Sequence, residues 1–135
     1  MSESLLDYGS EMDEDLTLKI FNDGEEVQLL IKTAERHLSD AGKPSIAVTL
    51  ESIQYPDDYD DIYVYIGIII DEDTGKARKK KLSRLKEFYA AFGIDHTMPV
   101  TIEIDLPGKT GWGIVGVEDY QGNTKNTIKR FGVGS

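Results

Sequence analysis

The fold of this chain is decided by one stretch, Lys76-Ala-Arg-Lys-Lys-Lys-Leu-Ser-Arg-Leu-Lys-Glu-Phe-Tyr-Ala-Ala-Phe-Gly93. Seven of the chain's fifteen basic residues fall between Lys76 and Lys86, and no acid interrupts them. Strand-like sequence lies on both sides. The stretch therefore connects two sets of strands, and it concentrates positive charge in an acidic chain.

Helix caps and the helix dipole divide this stretch at Ser83. Cations at a helix N-terminus oppose the dipole, and Arg78 and Lys81 would fall among the apolar positions of a helical wheel. Residues 77–82 are therefore predicted to form a basic hairpin strand. Ser83 is a good N-cap, so a helix is predicted over residues 84–92. Its apolar stripe at helical spacing comprises Leu85, Phe88, Tyr89 and Phe92.

Alternation of apolar and polar residues predicts strands around the stretch. The alternating segments are residues 26–36, 45–53, 62–70, 98–106, 111–119 and 124–131, with a shorter one at 16–21. The segment 62–70 is almost entirely β-branched or aromatic. Its aliphatic face is predicted to be core, and its other face carries Tyr63 and Tyr65.

The order of elements predicts a mostly β fold. One helix between the third strand and the closing strands fits a small five-stranded Greek-key barrel, and the oligonucleotide/oligosaccharide-binding (OB) barrel is the common one at this size. The helix would lie between strands 3 and 4. Residues 25–135 are predicted to form this OB-type domain, and residues 1–24 an acidic, flexible N-terminal segment.

Composition narrows the class of protein. The chain has 135 residues, the size of one domain, and no cysteine, which excludes disulfides, thiolate metal sites and a cysteine nucleophile. No apolar run reaches the length of a membrane span, and no secretory leader is visible. A soluble, cytoplasmic protein is therefore expected.

The net charge of −10 is unevenly distributed. Residues 1–26 hold nine acids and one lysine, whereas residues 27–135 hold sixteen acids and fourteen bases. The folded part is therefore nearly neutral. The acidic segment is either a solvated tail or an intramolecular mimic of a polyanion that competes for the basic residues.

Motifs for catalysis are missing from the sequence. Gly108-Lys109-Thr110 resembles the end of a phosphate-binding loop, but Glu103 occupies the position where the motif requires its first glycine. The acidic loop at residues 57–61 could bind a hard cation, although a solvated loop is the simpler interpretation. His37 and His96 belong to no ligand-spaced cluster. We therefore predict no enzyme activity, no cofactor and no metal site.

Basic and aromatic residues together predict a nucleic-acid interface, because cations neutralise phosphates and aromatic rings stack on bases. The candidate residues are Lys43, Tyr63, Tyr65, Arg78, Lys79, Lys80, Lys81, Arg84, Trp112, Tyr120, Lys125, Lys129 and Arg130. In an OB barrel the cleft crosses strands 2 and 3, flanked by the loops that join strands 1–2 and 4–5. Two alternatives stay open: the basic run protects a sheet edge from aggregation, and Tyr65 or Trp112 fills the core.

Two motifs resemble a family of small bacteriophage proteins. The first consists of Leu85, Lys86, Phe88, Ala91 and Gly93, and the second of Tyr120, Gly122, Asn126, Ile128, Lys129, Arg130 and Phe131. That family is regarded as OB-fold, single-stranded-DNA-binding proteins of replication or recombination. Many single-stranded-DNA-binding proteins carry an acidic C-terminal tail, whereas this chain has its acids at the N-terminus and ends in Gly-Val-Gly-Ser.

The resemblance and the residues agree on one predicted function. We expect a non-enzymatic protein that binds single-stranded DNA in phage replication or recombination, with replication or recombination proteins as further partners. The alternative is a protein-interaction adaptor on the same barrel, which would use the acidic segment and the acidic loop as contact surfaces.

Overall fold

The computed structural model of the chain describes residues 5–132. Residues 1–4 of the predicted acidic segment and residues 133–135 of the predicted domain lie outside that range. The strands are β1 Glu26–Leu38, β2 Pro44–Ser52, β3 Ile62–Gly67, β4 Thr110–Tyr120 and β5 Asn123–Phe131, and the helices are α1 Gly9–Met12, α2 Gly75–Ala91 and α3 Ile102–Asp105.

The five strands that the described residues form make one antiparallel sheet, in the order β3-β2-β1-β4-β5. The mostly β architecture with one long helix between β3 and β4 confirms the coarse fold prediction. The edge strands β3 and β5 approach each other. No hydrogen-bonded ladder joins them in the described range, so the sheet is not closed.

One face of the sheet forms the core because apolar residues alternate along its strands. In β3 Ile62, Val64 and Ile66 are buried while Tyr63 and Tyr65 are exposed, which confirms the predicted faces. β3 ends at Gly67, three residues earlier than predicted. In β1 the pairing register shifts between residues 31 and 33, so the alternation also shifts by one residue at that point.

The prediction of a basic strand at residues 77–82 is wrong, because the whole stretch belongs to α2. Lys81, which falls among the apolar positions of the helical wheel, is accommodated in the helix by tertiary contacts. Its methylene groups lie over Gly67, 3.5 Å from the point that a Cβ on this glycine would occupy, and its Nζ is 2.7 Å from Asp73 Oδ2. Asp73 also precedes the helix and offsets the cations of its first turn. Ser83 lies inside the helix instead of capping it.

The second half of α2 packs against the sheet through aromatic residues. Phe88 and Phe92 are buried, and both rings contact Phe131 at centroid distances of 5.1 and 6.0 Å. Leu85 and Tyr89, the other members of the predicted stripe, are only half-buried. Both residues nevertheless pack against the core from its edge.

The predicted strand at residues 98–106 is also wrong, since that segment is a loop followed by the single turn α3. The amide of Thr101 donates to the Asp105 carboxylate, and the amide of Asp105 donates to the Thr101 carbonyl, both at 2.8 Å. Ile104 is exposed, whereas Leu106 is buried. Local bonding closes this turn before the segment could pair with a strand.

The strands predicted at residues 111–119 and 124–131 are confirmed by β4 and β5, which pair as a hairpin and are each one residue longer at one or both ends than predicted. Its turn residues Gln121 and Gly122 both have positive φ, 51° and 82°, as a type I′ turn requires. At the start of β4, a Cβ on Gly111 would collide with the carbonyl oxygen of Ala91. This glycine therefore permits the end of α2 to approach the sheet.

The N-terminal segment is fixed to the sheet at Phe21, which is buried. The Phe21 amide donates to Asn126 Oδ1 at 2.8 Å, and Asn126 Nδ2 donates back to the Phe21 carbonyl at 2.9 Å. The strand predicted at residues 16–21 is wrong, because only a single bridge, Lys19 with Tyr59, is formed there. Residues 5–19 are exposed.

Candidate nucleic-acid interface

The outer face of β3 presents two tyrosines to solvent. Tyr63 and Tyr65 are 61% and 64% exposed, and their direct neighbours on β2 are Thr49 and Ala47. These small neighbours leave both rings accessible. The ring of His37, on β1, lies 5.0 Å from the ring of Tyr65. Three aromatic rings therefore share the surface formed by β1, β2 and β3, which we call the tyrosine face.

The β4–β5 hairpin borders one end of the tyrosine face. A cavity of about 330 Å³ contains Tyr63 together with Tyr120 and Lys125 of the hairpin. Lys125 Nζ lies 4.6 Å from the centroid of the Tyr120 ring, within the range of a cation–π contact. The same cavity is lined by three acids, Asp60, Asp61 and Glu118. This end of the face thus combines aromatic, basic and acidic groups.

The β1–β2 turn borders the other end. Its residue Lys43 is exposed, and the Lys43 amide donates to Ser39 Oγ at 3.1 Å, which fixes the turn. The pKa of the nearby Asp73 is lowered, mainly by the hydrogen bond from Lys81 and then by the amide of Ile70, with a smaller effect of the Lys43 charge. Lys43 and the start of α2 are therefore neighbours at the Gly67 end of β3.

The basic residues of α2 from Arg78 to Arg84 divide into three sets. Arg78, Lys79 and Lys80 are exposed and form no ion pair in the described range. Lys81 is paired with Asp73. Arg84 is bound to the backbone of β5.

Arg84 bridges α2 and β5. Its guanidinium donates to the carbonyl oxygens of Ile128 at 2.8 Å and Lys129 at 3.2 Å, and it lies 4.5 Å from the centroid of the Phe131 ring. Burial lowers the pKa of Arg84, with an opposing effect of Glu87. These contacts use two of the five guanidinium donors and hold the side chain against β5, so Arg84 has a structural role here.

The two cations at the end of β5 also have acidic partners. Lys129 Nζ is 2.8 Å from Asp23 Oδ2, and Arg130 is 3.6 Å from Glu87 Oε2 while remaining largely exposed. Arg130 is thus more available to a ligand than Lys129.

Trp112 lies apart from the tyrosine face. It pairs with Gln28 on β1, whereas Tyr63 is opposite Thr49, which is itself opposite Thr33 of β1. The two rings are separated by three strand spacings across the sheet and by five residues along the strands. Together these give a distance of roughly 20 Å along the sheet. Trp112 instead lines a cavity beside Ala91 and Phe131 at the end of α2.

Two polar residues of this region were not among the sequence candidates. Lys32 Nζ lies 3.0 Å from Asp61 and 3.1 Å from Glu51, and these carboxylates raise its pKa, Asp61 more than Glu51. His37 joins the tyrosine face through the register of β1 with β2. Only strand pairing reveals either position, and the sequence contains no local signal for it.

Metal-ligating clusters and membrane-crossing helices were sought among the described residues. Within residues 5–132, no three His, Cys, Asp or Glu side chains are grouped to hold a metal ion. No helix in that range is long and apolar enough to cross a membrane. A scan against models of protein families found no match, and a search of curated proteins found none either.

Proposed function

We propose that this chain is an OB-type barrel that binds single-stranded DNA, without catalysing a reaction, in phage replication or recombination. Two features of the topology support the barrel. β1 pairs with both β2 and β4, and the edge strands β3 and β5 approach each other. The long helix lies between β3 and β4, as in the partly open Greek-key barrel of OB proteins.

The observation that carries the proposal is the tyrosine face and its two borders. Tyr63 and Tyr65 lie on β3, one of the two strands that form the cleft of OB barrels, and the His37 ring of β1 lies beside Tyr65. Lys43 lies on the β1–β2 turn and the Tyr120–Lys125 pair lies beside the β4–β5 turn, and these two connections flank such a cleft. Exposed tyrosines surrounded by small residues are suited to stack on bases of any sequence.

Cations at both borders supply the complementary contacts to phosphate. Lys43, Arg78, Lys79 and Lys80 are exposed near the Gly67 end of β3, and Lys125 is exposed at the hairpin end. Each neutralised phosphate of a single strand adds about 0.7 to the slope of log affinity against log salt concentration. Binding is therefore expected to weaken steeply with salt.

A fluorescence titration with labelled oligo-dT tests the proposal. The wild-type chain should bind at about 50 mM salt and lose affinity by about 200 mM. The double variant Tyr63→Ala/Tyr65→Ala should bind roughly 30-fold more weakly or worse, because each stacked base contributes about 1–3 kcal/mol. Tyr8→Ala removes an exposed tyrosine outside the face and should not change affinity.

Three results would overturn the proposal: no binding at low salt, an affinity that ignores salt, or a double variant that binds as the wild type does. Circular dichroism of the variants checks that the loss is not unfolding. Titration with oligo-rU distinguishes DNA from RNA as the preferred strand.

A protein-interaction adaptor is the second candidate function. The cavity beside Tyr63 and Tyr120 is lined by Asp60, Asp61 and Glu118, which would favour a cationic partner. Capture of a replication or recombination protein, without binding to oligo-dT, would support this alternative. Glu118→Gln combined with Asp60→Asn should then abolish capture.

A further inference from the structure

An apolar groove lies beside α2 at the edge of the core, where Leu85, Tyr89 and Val100 are only partly buried. It has a volume of about 520 Å³, and its apolar lining includes Leu82, Leu85, Tyr89, Met98 and Val100. Leu82 and Met98 are 44% and 64% exposed. Half-burial raises the pKa of Tyr89 through desolvation of its phenol. The groove therefore offers apolar surface that no described residue covers.

The charged side chain that lines this groove is basic. Its polar lining consists of Lys86 and His96 and includes no acid. Arg78 and Lys79 are exposed one helical turn before Leu82, on the same side of α2. A ligand that matches the groove would combine apolar side chains with carboxylates.

The N-terminal segment of this chain has that composition. Residues 5–18 contain five acids and no base. Among them, Leu5, Leu6, Met12 and Leu16 are exposed by 66% or more, and none of the five carboxylates forms an ion pair in the described range. The segment thus presents exposed apolar side chains together with carboxylates that no cation of the described residues neutralises.

We propose that the groove of one copy binds the acidic, leucine-bearing segment of a second copy. Phe21 is fixed by Asn126 on β5, so the segment leaves the domain at a defined point. In this structure residues 5–19 are exposed and do not line the groove of their own chain. Each copy carries one segment and one groove, so the contact is head-to-tail.

Head-to-tail contacts extend from copy to copy because each addition leaves one free groove and one free segment. The product is an open chain of copies rather than a closed dimer. This inference does not depend on the proposed function, although on single-stranded DNA such contacts would make binding cooperative.

Sedimentation velocity of the full chain, from about 1 µM to about 1 mM, tests the inference over the range where weak to moderate association shows. The average mass should rise past that of a dimer. A segment variant, Leu5→Ser/Leu6→Ser, and a groove variant, Leu82→Ser/Met98→Ser, should each stay monomeric. Ile104→Ser, which changes an exposed apolar residue outside the groove, should associate as the wild type does.

Mixing the two variants gives the decisive result. The segment variant keeps its groove and the groove variant keeps its segment, so the mixture should form a one-to-one complex that grows no further. A wild-type chain that is monomeric at every concentration would overturn the inference, whether its segment is free or lies in its own groove. So would a mixture that forms no complex, or a groove variant that associates like the wild type.

The basic residues Lys79 and Lys86 beside the groove provide an independent check. Lys79→Glu/Lys86→Glu leaves the apolar lining intact and should reduce association at least tenfold at low salt. Unchanged association in this variant would contradict the electrostatic part of the inference.

Discussion

Arg78, Lys79 and Lys80 extend from the first half of α2 into solvent, whereas Lys81 and Arg84, one turn further on, are held by the protein itself. In the sequence these residues form one basic run that no acid interrupts. In the structure Lys81 stabilises the start of the helix and Arg84 ties the helix to β5. A count of cations from the sequence therefore overstates the number of residues free to contact phosphate.

The largest effect should come from Arg84→Ala. This change leaves the carbonyl oxygens of Ile128 and Lys129 without their donor and removes the contact with Phe131. Charged hydrogen bonds contribute about 1.5–3 kcal/mol, so the free energy of unfolding should fall by about 2 kcal/mol or more. Urea denaturation measures this loss.

Lys80→Ala is the matched control, since it removes an exposed cation and should change the free energy of unfolding by less than about 0.5 kcal/mol. Arg84→Lys should recover only part of the loss, because an ammonium cannot reproduce the planar fork over the ring. Equal stabilities of Arg84→Ala and Lys80→Ala would remove the distinction between the two groups of cations.

The next largest effect is on DNA affinity. The triple variant Arg78→Ala/Lys79→Ala/Lys80→Ala should weaken oligo-dT binding roughly tenfold or more at about 50 mM salt, and reduce the salt slope by about 2. Its stability should match the wild type. Titrations at several salt concentrations give both quantities.

The control for this prediction is Lys129→Ala, which removes a cation already paired with Asp23. Lys129→Ala should lower the salt slope by less than one third of the decrease that the triple variant shows. A triple variant with an unchanged slope would show that the exposed cations of α2 do not contact phosphate.

The difference between the two groups of cations also explains what could be predicted from the sequence. Where one segment's own pattern decides the structure, prediction succeeded: the alternation of Ile62, Val64 and Ile66 marks a strand with one buried face. The positive-φ turn at Gln121-Gly122 likewise follows from local sequence. These features fix the sheet and the outward direction of Tyr63 and Tyr65.

Prediction failed where a residue distant in the sequence determines the local structure. Lys81 looks unsuited to a helix until Asp73 and Gly67 are placed beside it, and those contacts depend on where β3 ends. Prediction also failed at residues 98–106, which alternate like a strand, because the local Thr101–Asp105 bonds close a turn instead. His37 reaches the tyrosine face only through the register of β1 with β2.

A smaller, pH-dependent effect should come from Asp73. Its folded-state pKa lies below the ordinary value of 3.8, first because of the bond from Lys81 and then the Ile70 amide. The unfolded chain therefore takes up the proton first as pH falls. The stability that this carboxylate contributes is present above about pH 4 and is lost as pH falls through the lower folded-state pKa.

Urea denaturation between about pH 6 and pH 3 measures this effect as the difference between wild type and Asp73→Asn, which should shrink toward the acid end. Lys81→Ala should produce most of the same change. The double variant should add little to either single variant, because both remove one interaction. Fully additive losses would show that Lys81 and Asp73 act separately.

The smallest expected effect concerns the acidic segment as a mimic of DNA. Removing residues 1–18 should tighten binding of an oligonucleotide long enough for one copy by a few-fold at about 50 mM salt, and by nothing measurable near 1 M, where charges are screened within about 3 Å. The truncation stops before Phe21, since that buried residue belongs to the core. A full-length variant whose five acids at residues 5–18 are replaced by amides should bind as tightly as the truncated chain. If affinity at low salt is the same with and without the segment, the exposed cations of α2 have no internal competitor, and the segment's charge acts only between copies.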